Sequence, residues 1–256
     1  MKLVGEDKRS YIAPLFHGWN ETMILSCIQG YMGQAWADRL ENPQSAQIVV
    51  GDFCFFTGVP NKNLVANIPA QFPSSCILMI PQHTGWSTYI ENTYQGRFDK
   101  FMRYSTKKEP QIFDSEKLLG YQKKILPNYQ LQKIDQHLYH TIQKTPWAKD
   151  LCSQFPTWET YKTHGMGYVV TYHNEIISGA SSYTAYNGGI EIQIDTRQDY
   201  RRQGFALACA SALILHCLEK GIYPSWDAAN HASLCLAQKL GYHLEKAYVT
   251  YAVSVN

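Results

Sequence analysis

From Ile190 to Asp195 apolar and polar residues alternate without a break, Ile190, Ile192 and Ile194 against Glu191, Gln193 and Asp195. A period of two puts the isoleucines on one face of a strand and the polar side chains on the other. The preceding segments suit the same sheet. Gly167 to Tyr172 predicts a strand, His173-Asn174 a tight turn, Glu175 to Tyr186 a second strand, and Asn187-Gly188-Gly189 the turn into the third, an antiparallel meander. After Thr196 the period changes. Leu207 to Lys220 is dominated by Ala, Leu, Ile and Cys, keeps its charges in the last turn and stops at Gly221, as a buried helix does. Ile222 to Trp226 predicts a strand, His231 to Lys239 a helix behind Asp227-Ala228-Ala229-Asn230, and His243 to Val253 a last strand. Upstream, Gln130 to Ile134 reads as a strand, Asp135 caps a helix to about Gln143, and Thr157 caps another reaching His164 before Gly165.

The first half is less regular. Thr22 to Leu40 has an apolar pattern broken by Gly30 and Gly33 and predicts one or two helices. Gln47 to Phe56 predicts a strand pair turning at Gly51-Asp52, Cys76 to Ile80 a short buried strand stopped by Pro81, and Phe101 to Tyr104 another strand. Asp114 caps a helix running to Ile125, which Pro127 ends, and the domain boundary is placed there.

Composition narrows the classes. With 45% hydrophobic and 17% charged residues the chain is ordinary globular material, and its 256 residues suit two modest domains. A net charge of +2 without a basic stripe argues against a nucleic-acid groove. Seven cysteines, an odd number with no C-x-x-C pair, read as reduced thiols. The nine histidines are scattered without i,i+4 pairing among themselves and are read as lacking Cys partners, so no metal site is expected. No apolar run approaches membrane-spanning length, and the expected compartment is the cytoplasm.

Candidate chemistry begins just before the buried helix, at Arg201-Arg202-Gln203-Gly204-Phe205-Ala206. Unpaired amides at a helix start and the positive end of its dipole form an anion site. Gly204 admits a ligand close to the backbone and Ala206 keeps the floor shallow, which suits a phosphate or pyrophosphate. The alternative is an arginine pair solvating a helix start, with Gly204 serving only the turn. Glu191, Gln193 and Asp195 have a plain reading too, the wet outer face of a half-buried strand. Trp226 and Asp227 either line a pocket or serve as core residue and turn former. His216 and His231 read as structural. No Gly-x-Ser-x-Gly elbow or Gly-Lys-Ser/Thr loop is present to support a hydrolase or nucleotidase.

Strand, Arg-x-x-Gly-x-Ala, buried helix, strand, Asn230-x-x-Ser233, helix and Leu240-Gly241-Tyr242 follow in one order. In that order the stretch from about Tyr129 to Asn256 resembles the GNAT N-acetyltransferase superfamily, in particular a bacterial group with an extra N-terminal domain. The resemblance implies an α/β, mixed-sheet GNAT fold in residues 127–256, preceded by a smaller mixed α/β domain in residues 1–126. That first domain shows no motif, and its pattern also suits a degenerate copy of the same fold.

The resemblance further implies acetyl-CoA as co-substrate and a primary amine, on a small molecule or peptide, as acceptor. The backbone from Ile194 to Thr196 would pair with the pantetheine arm. Arg201, Arg202, Gln203, Gly204, Phe205 and Ala206 would hold the pyrophosphate. Asn230 would meet the pantetheine, with Ser233 one turn on, although Asn230 serves equally as a helix cap. Glu191 resembles a carboxylate that some relatives use to deprotonate the amine. One position departs: many members carry Tyr four residues before the Gly of Leu-Gly-Tyr, to protonate the leaving thiolate, and here it is Ala237. Ala237 favours a rival reading, a module that holds or senses acyl-CoA without turning it over. A third has the first half docking another macromolecule.

Overall fold

Residues 1–70, 72 and 74–255 are described by the computed structural model, and they divide into two units. One comprises Met1–Arg103 with the returning Ala247–Asn256, the other Tyr104–Lys246. In the first, β1 (Lys2–Val4) leads through α1 (Arg9–Ile12) and α2 (Thr22–Ile28) into β2 (Gln34–Ala37), β3 (Ser45–Val50) and β4 (Phe53–Gly58). A one-turn α3 (Lys62–Val65), β5 (Cys76–Pro81), α4 (Thr84–Thr93) and β6 (Phe98–Thr106) follow. The second unit has α5 (Ser115–Gln122), β7 (Tyr129–Lys133), α6 (Gln136–Lys144) and α7 (Trp158–His164). Its meander is β8 (Gly167–Tyr172), β9 (Glu175–Tyr186) and β10 (Gly189–Thr196), followed by α8 (Phe205–Glu219) and β11 (Tyr223–Ser225). The two-residue β12 (Asp227–Ala228) and α9 (His231–Leu240) complete it, and β13 (Leu244–Ser254) carries the chain back.

Most caps fall where the sequence predicts them. Asp114, Asp135, Thr157 and Asn230 each accept a backbone N–H three residues on, from Lys117, Leu138, Thr160 and Ser233. His173 and Asn174 both take positive φ in the β8–β9 turn, as a two-residue hairpin of matching twist requires.

Two expectations need correction. The stretch from Thr22 to Leu40 is a helix and a strand, not helices, because β2 is fixed by pairing with β1 and β3. The contact boundary lies at Arg103, not near 126. Phe113, Leu118, Tyr121 and Ile125 pack into the second unit's core, so Pro127 only ends a turn within that unit. At the other end, Tyr251 to Ser254 pair antiparallel with Cys76 to Met79, which draws the tail of β13 into the first unit.

The two units share one topology. Each runs strand, two helices, three-stranded meander, helix, strand, helix, strand, apart from α5 and β12 in the second. Pairing is antiparallel along β1–β2–β3–β4 and parallel for β4–β5; likewise antiparallel along β7–β8–β9–β10 and parallel for β10–β11. In the second unit Ile190 and Ile192 join Val170, Ile177 and Ala180 against Cys209, Leu213 and Ile214 of α8. Burying such a helix face, at about 1.5–3 kcal/mol per large side chain, pins α8 and the loop that starts it.

Candidate active site

Strand β10 is paired along its whole length with β9, but with β11 only at Gly189, Ile190 and Glu191. Tyr223 N–H donates to Gly188 O, and Arg197 N–H donates to Ile177 O on the far side. Strand alternation then turns the N–H and C=O groups of Ile192, Ile194 and Thr196 toward the side that β11 has left. Among the described residues no strand pairs with 192–196 there. Such an edge accepts an extended, amide-bearing chain as an added strand.

Glu191 is the wedge that opens the gap. In the register set by Tyr223, the next two donors toward β10 are Ser225 and Asp227. Asp227 N–H goes instead to Glu191 Oε1, at 2.6 Å. The chain then turns away, and Asp227 and Ala228 pair with Ser105 and Tyr104. Glu191 is 5% exposed, flanked by Thr184 of β9 and Ser225 of β11, so it is not on a wet outer face. Alternation alone could not show that neighbouring elements cover this end of the polar row.

The other two members of the row are half-buried. Gln193 Nε2 donates to Asp195 Oδ2 at 2.8 Å. Burial pushes the Asp195 carboxyl up to about 6, with Asp150 adding to the rise while the Gln193 bond and Arg201 oppose it. Asp195 therefore titrates near neutrality on the strand whose edge is open.

The loop after β10 has the features of an anion cradle. Arg202 and Gly204 both have positive φ, 65° and 90°. Gly204 is the N-cap of α8 and offers no side chain to its first-turn amides. A Cβ on Gly204 would meet nothing within 4 Å, so the space above the helix start is open. Arg201 Nε donates to Thr196 O at 3.2 Å, tying the loop to the strand edge. Arg197 is engaged with Glu175 and Asp199, whereas Arg201 and Arg202 form no ion pair among the described residues. Phe205 is buried against Tyr129 and Tyr200. Ala206 is half-buried behind it.

On the facing element, Asn230 Oδ1 accepts Ser233 N–H at 3.0 Å, the capping role. Trp226 Nε1–H donates to Ser233 Oγ at 3.1 Å. Trp226 is thus a core residue that also orients a hydroxyl. Ala237 is fully buried in the core cluster. Contrary to the expectation that the histidines lack cysteine partners, Cys235 Sγ lies 3.5 Å from His231 Nδ1, one turn along α9. No third His, Cys, Asp or Glu joins them as a metal cluster among the described residues.

Residues 13–251 match the GNAT acetyltransferase family. The chain belongs to that family. It is similar to a GCN5-related N-acetyltransferase-like protein from Streptococcus suis, 39% identical with a TM-score of 0.91 over 96% of this chain and 98% of that one. It is also 34% identical over 93 residues to an uncharacterised N-acetyltransferase of Bacillus subtilis, YdfB, a match spanning 36% of each chain. A tandem GNAT protein from the clavulanic acid biosynthesis pathway, 9% identical, shares the fold with a TM-score of 0.62 over 100% of this chain and 98% of that one.

The GNAT fold expected for the second half is therefore present, and its topology appears in both units. The two copies differ where it matters. In the first unit β4 pairs with β5 at Phe53, Cys54, Phe55 and Phe56, and Gln82 N–H continues the ladder to Phe56 O. The following carbonyl in line, Gly58 O, accepts Trp86 Nε1–H at 3.1 Å. Pro60 lies in the next loop, and α3 is a single turn. The gap that opens beside β10 is closed beside β4.

Proposed function

We propose that the chain is an N-acetyltransferase that moves an acetyl group from acetyl-CoA to a primary amine, at one site formed by its second unit. The observation carrying this reading is the open edge of β10 leading directly into an anion cradle. Ile192, Ile194 and Thr196 supply the donors and acceptors that a pantetheine arm needs. The amides of residues 203–207 with Arg201 and Arg202 suit its pyrophosphate, and Asn230 Nδ2 remains for the pantetheine from the other wall. The first unit, with its ladder closed, is assigned no acyl-CoA.

Bound this way, the thioester carbonyl lies against the Ile194 N–H, which stabilises the oxyanion as the amine attacks. Holding both reactants in near-attack geometry supplies much of the acceleration. The base is assigned to Asp195, one residue away and ionised above about pH 6, directly or through one water. The acyl-CoA-sensing alternative rested on Ala237 alone, and Asp195 with its raised pKa favours turnover.

Glu191, the carboxylate favoured by resemblance, is assigned to holding the cleft open. Glu191→Gln keeps an oxygen for Asp227 N–H, so acetyl-CoA binding and turnover stay near wild type. Glu191→Ala strands a buried N–H and lowers stability by about 1–3 kcal/mol, read as a fall in Tm. A Glu191→Gln protein that binds acetyl-CoA normally but has lost about 100-fold or more in kcat would return the base role to Glu191.

A further inference from the structure

We infer that α6 and α7 of the second unit form a binding site for a small organic cation, an alkylammonium, set apart from the β10 edge. The inference stands on the cavity itself and does not rest on the acetyltransferase reading.

A cavity of about 540 Å³ is lined by residues of the two helices and of the segment joining them. Three of its residues are aromatic: Tyr139 and His140 of α6, and Trp158 at the start of α7. Tyr139 is the fixed member, buried and held by its hydroxyl, which donates to Phe155 O at 2.6 Å. The His140 ring lies 5.3 Å from it at 73°, and the Trp158 ring 5.9 Å from it at 56°. Rings inclined to one another around one concavity form the kind of box that receives an alkylated ammonium. The Thr157 capping box fixes Trp158 and the next residue, Glu159, in the first turn of α7. Charge points the same way. Glu159 lines the cavity with the amides of Gln136 and Gln143, and no lysine or arginine does so among the described residues. Gln143 Nε2 is spent on Tyr139 OH at 3.2 Å and Cys152 O at 3.1 Å, which leaves Oε1 as its spare acceptor. A carboxylate beside aromatic faces, with no competing cation in the lining, selects a positive guest over a neutral or negative one. His140 and Glu159 are exposed and Trp158 is half-buried, so the guest enters from solvent.

One ring layer separates this cavity from the sheet. Tyr139 and Trp158 both pack on the Tyr161 ring, at 5.5 and 6.0 Å. Tyr161 is itself buried, and its hydroxyl shares a 2.8 Å hydrogen bond with Ser181 Oγ of β9. Ser181 is the partner of Gln193 across the β9–β10 ladder. A guest beside Tyr139 and Trp158 therefore rests behind the Tyr161 layer, not on the strand edge assigned to acyl-CoA.

The test is a ligand-observed NMR titration of the intact protein with choline, with putrescine and with the neutral tert-butyl analogue of choline. At least one of the two cations is expected to bind with a Kd of about 1 mM or below, its signals shifted upfield by the ring currents of the box. Tighter choline would assign the site to quaternary ammonium groups, and tighter putrescine to primary ones. The neutral analogue keeps the shape without the charge and should bind about 10-fold more weakly than choline or worse. Glu159→Gln should weaken the bound cation about 3- to 10-fold. Ser153→Trp, at an exposed lining position, fills the cavity and should abolish binding. Both variants should titrate with acetyl-CoA as wild type does. Neither cation binding to folded wild-type protein overturns the inference. So does a neutral analogue that binds as well as choline, or binding that survives unchanged in both variants. None of these results touches the acetyltransferase reading, which the acetyl-CoA titration tests separately.

Discussion

Replacing Arg201 and Gly204 together by glutamate is expected to weaken acetyl-CoA binding by more than about 100-fold, close to 3 kcal/mol. In the proposed site the loop from Arg201 to Ala206 would give an anion two kinds of partner, arginine side chains and the first-turn amides of α8, whose cap is a glycine. Arg201→Glu removes a cation and the bond that ties the loop to Thr196 O. Gly204→Glu places a carboxylate in the open space above the helix start, where a pyrophosphate would sit. It also forces a non-glycine residue to φ 90°, at a cost of about 1–2 kcal/mol. Circular dichroism and the Tm must therefore accompany the titration. A folded double variant that binds acetyl-CoA as tightly as wild type would remove this loop from the site.

The second large effect concerns Asp195. Asp195→Asn should lower kcat by about 100-fold or more while leaving acetyl-CoA affinity nearly unchanged, because the side chain is assigned to the amine. Burial holds the Asp195 pKa at about 6, so wild-type kcat/KM should rise through that pH and then level. The variant should lose the rise. Stability moves the other way. A carboxyl whose folded pKa lies above its unfolded value stabilises least when ionised, so the fold loses stability as pH climbs from about 4 to about 6. Asparagine cannot ionise, and Asp195→Asn should raise the Tm at pH 7 while leaving it unchanged at pH 3. Less activity with more stability is the pattern expected of a desolvated functional group. A variant that is both fully active and no more stable would show Asp195 to be neither the base nor a desolvated carboxylate that costs stability.

What the sequence revealed and what it hid follow from the range of the interactions involved. The β8–β9–β10 meander, the buried α8 and the caps at Asp114, Asp135, Thr157 and Asn230 depend on neighbours within a few residues, so their patterns were readable. The turn at Arg201 to Ala206 and the helix start that follows it were readable for the same reason, since a glycine before an apolar helix is a local signal. The strand nature of residues 34–37 was hidden because it depends on β1 and β3, and the division at Arg103 because α5 finds its partner, α8, about a hundred residues away. Glu191 and Asp195 are alike in the alternating pattern. Only the departure of β11 after Ser225 gives the first to a backbone amide and leaves the second at a half-buried, open edge. The repeat was allowed by the mixed pattern of the first half but not shown by it, because it lies in strand order and pairing sense, which no shared motif advertises.

The most direct test of the central claim is a calorimetric titration of the intact protein with acetyl-CoA. One molecule bound per chain, with the binding abolished by the Arg201→Glu, Gly204→Glu pair, is the predicted result. No binding by folded wild-type protein would contradict the assignment of the β10 edge and the Arg201 loop, and a second site that survives the double variant would contradict the closed first unit.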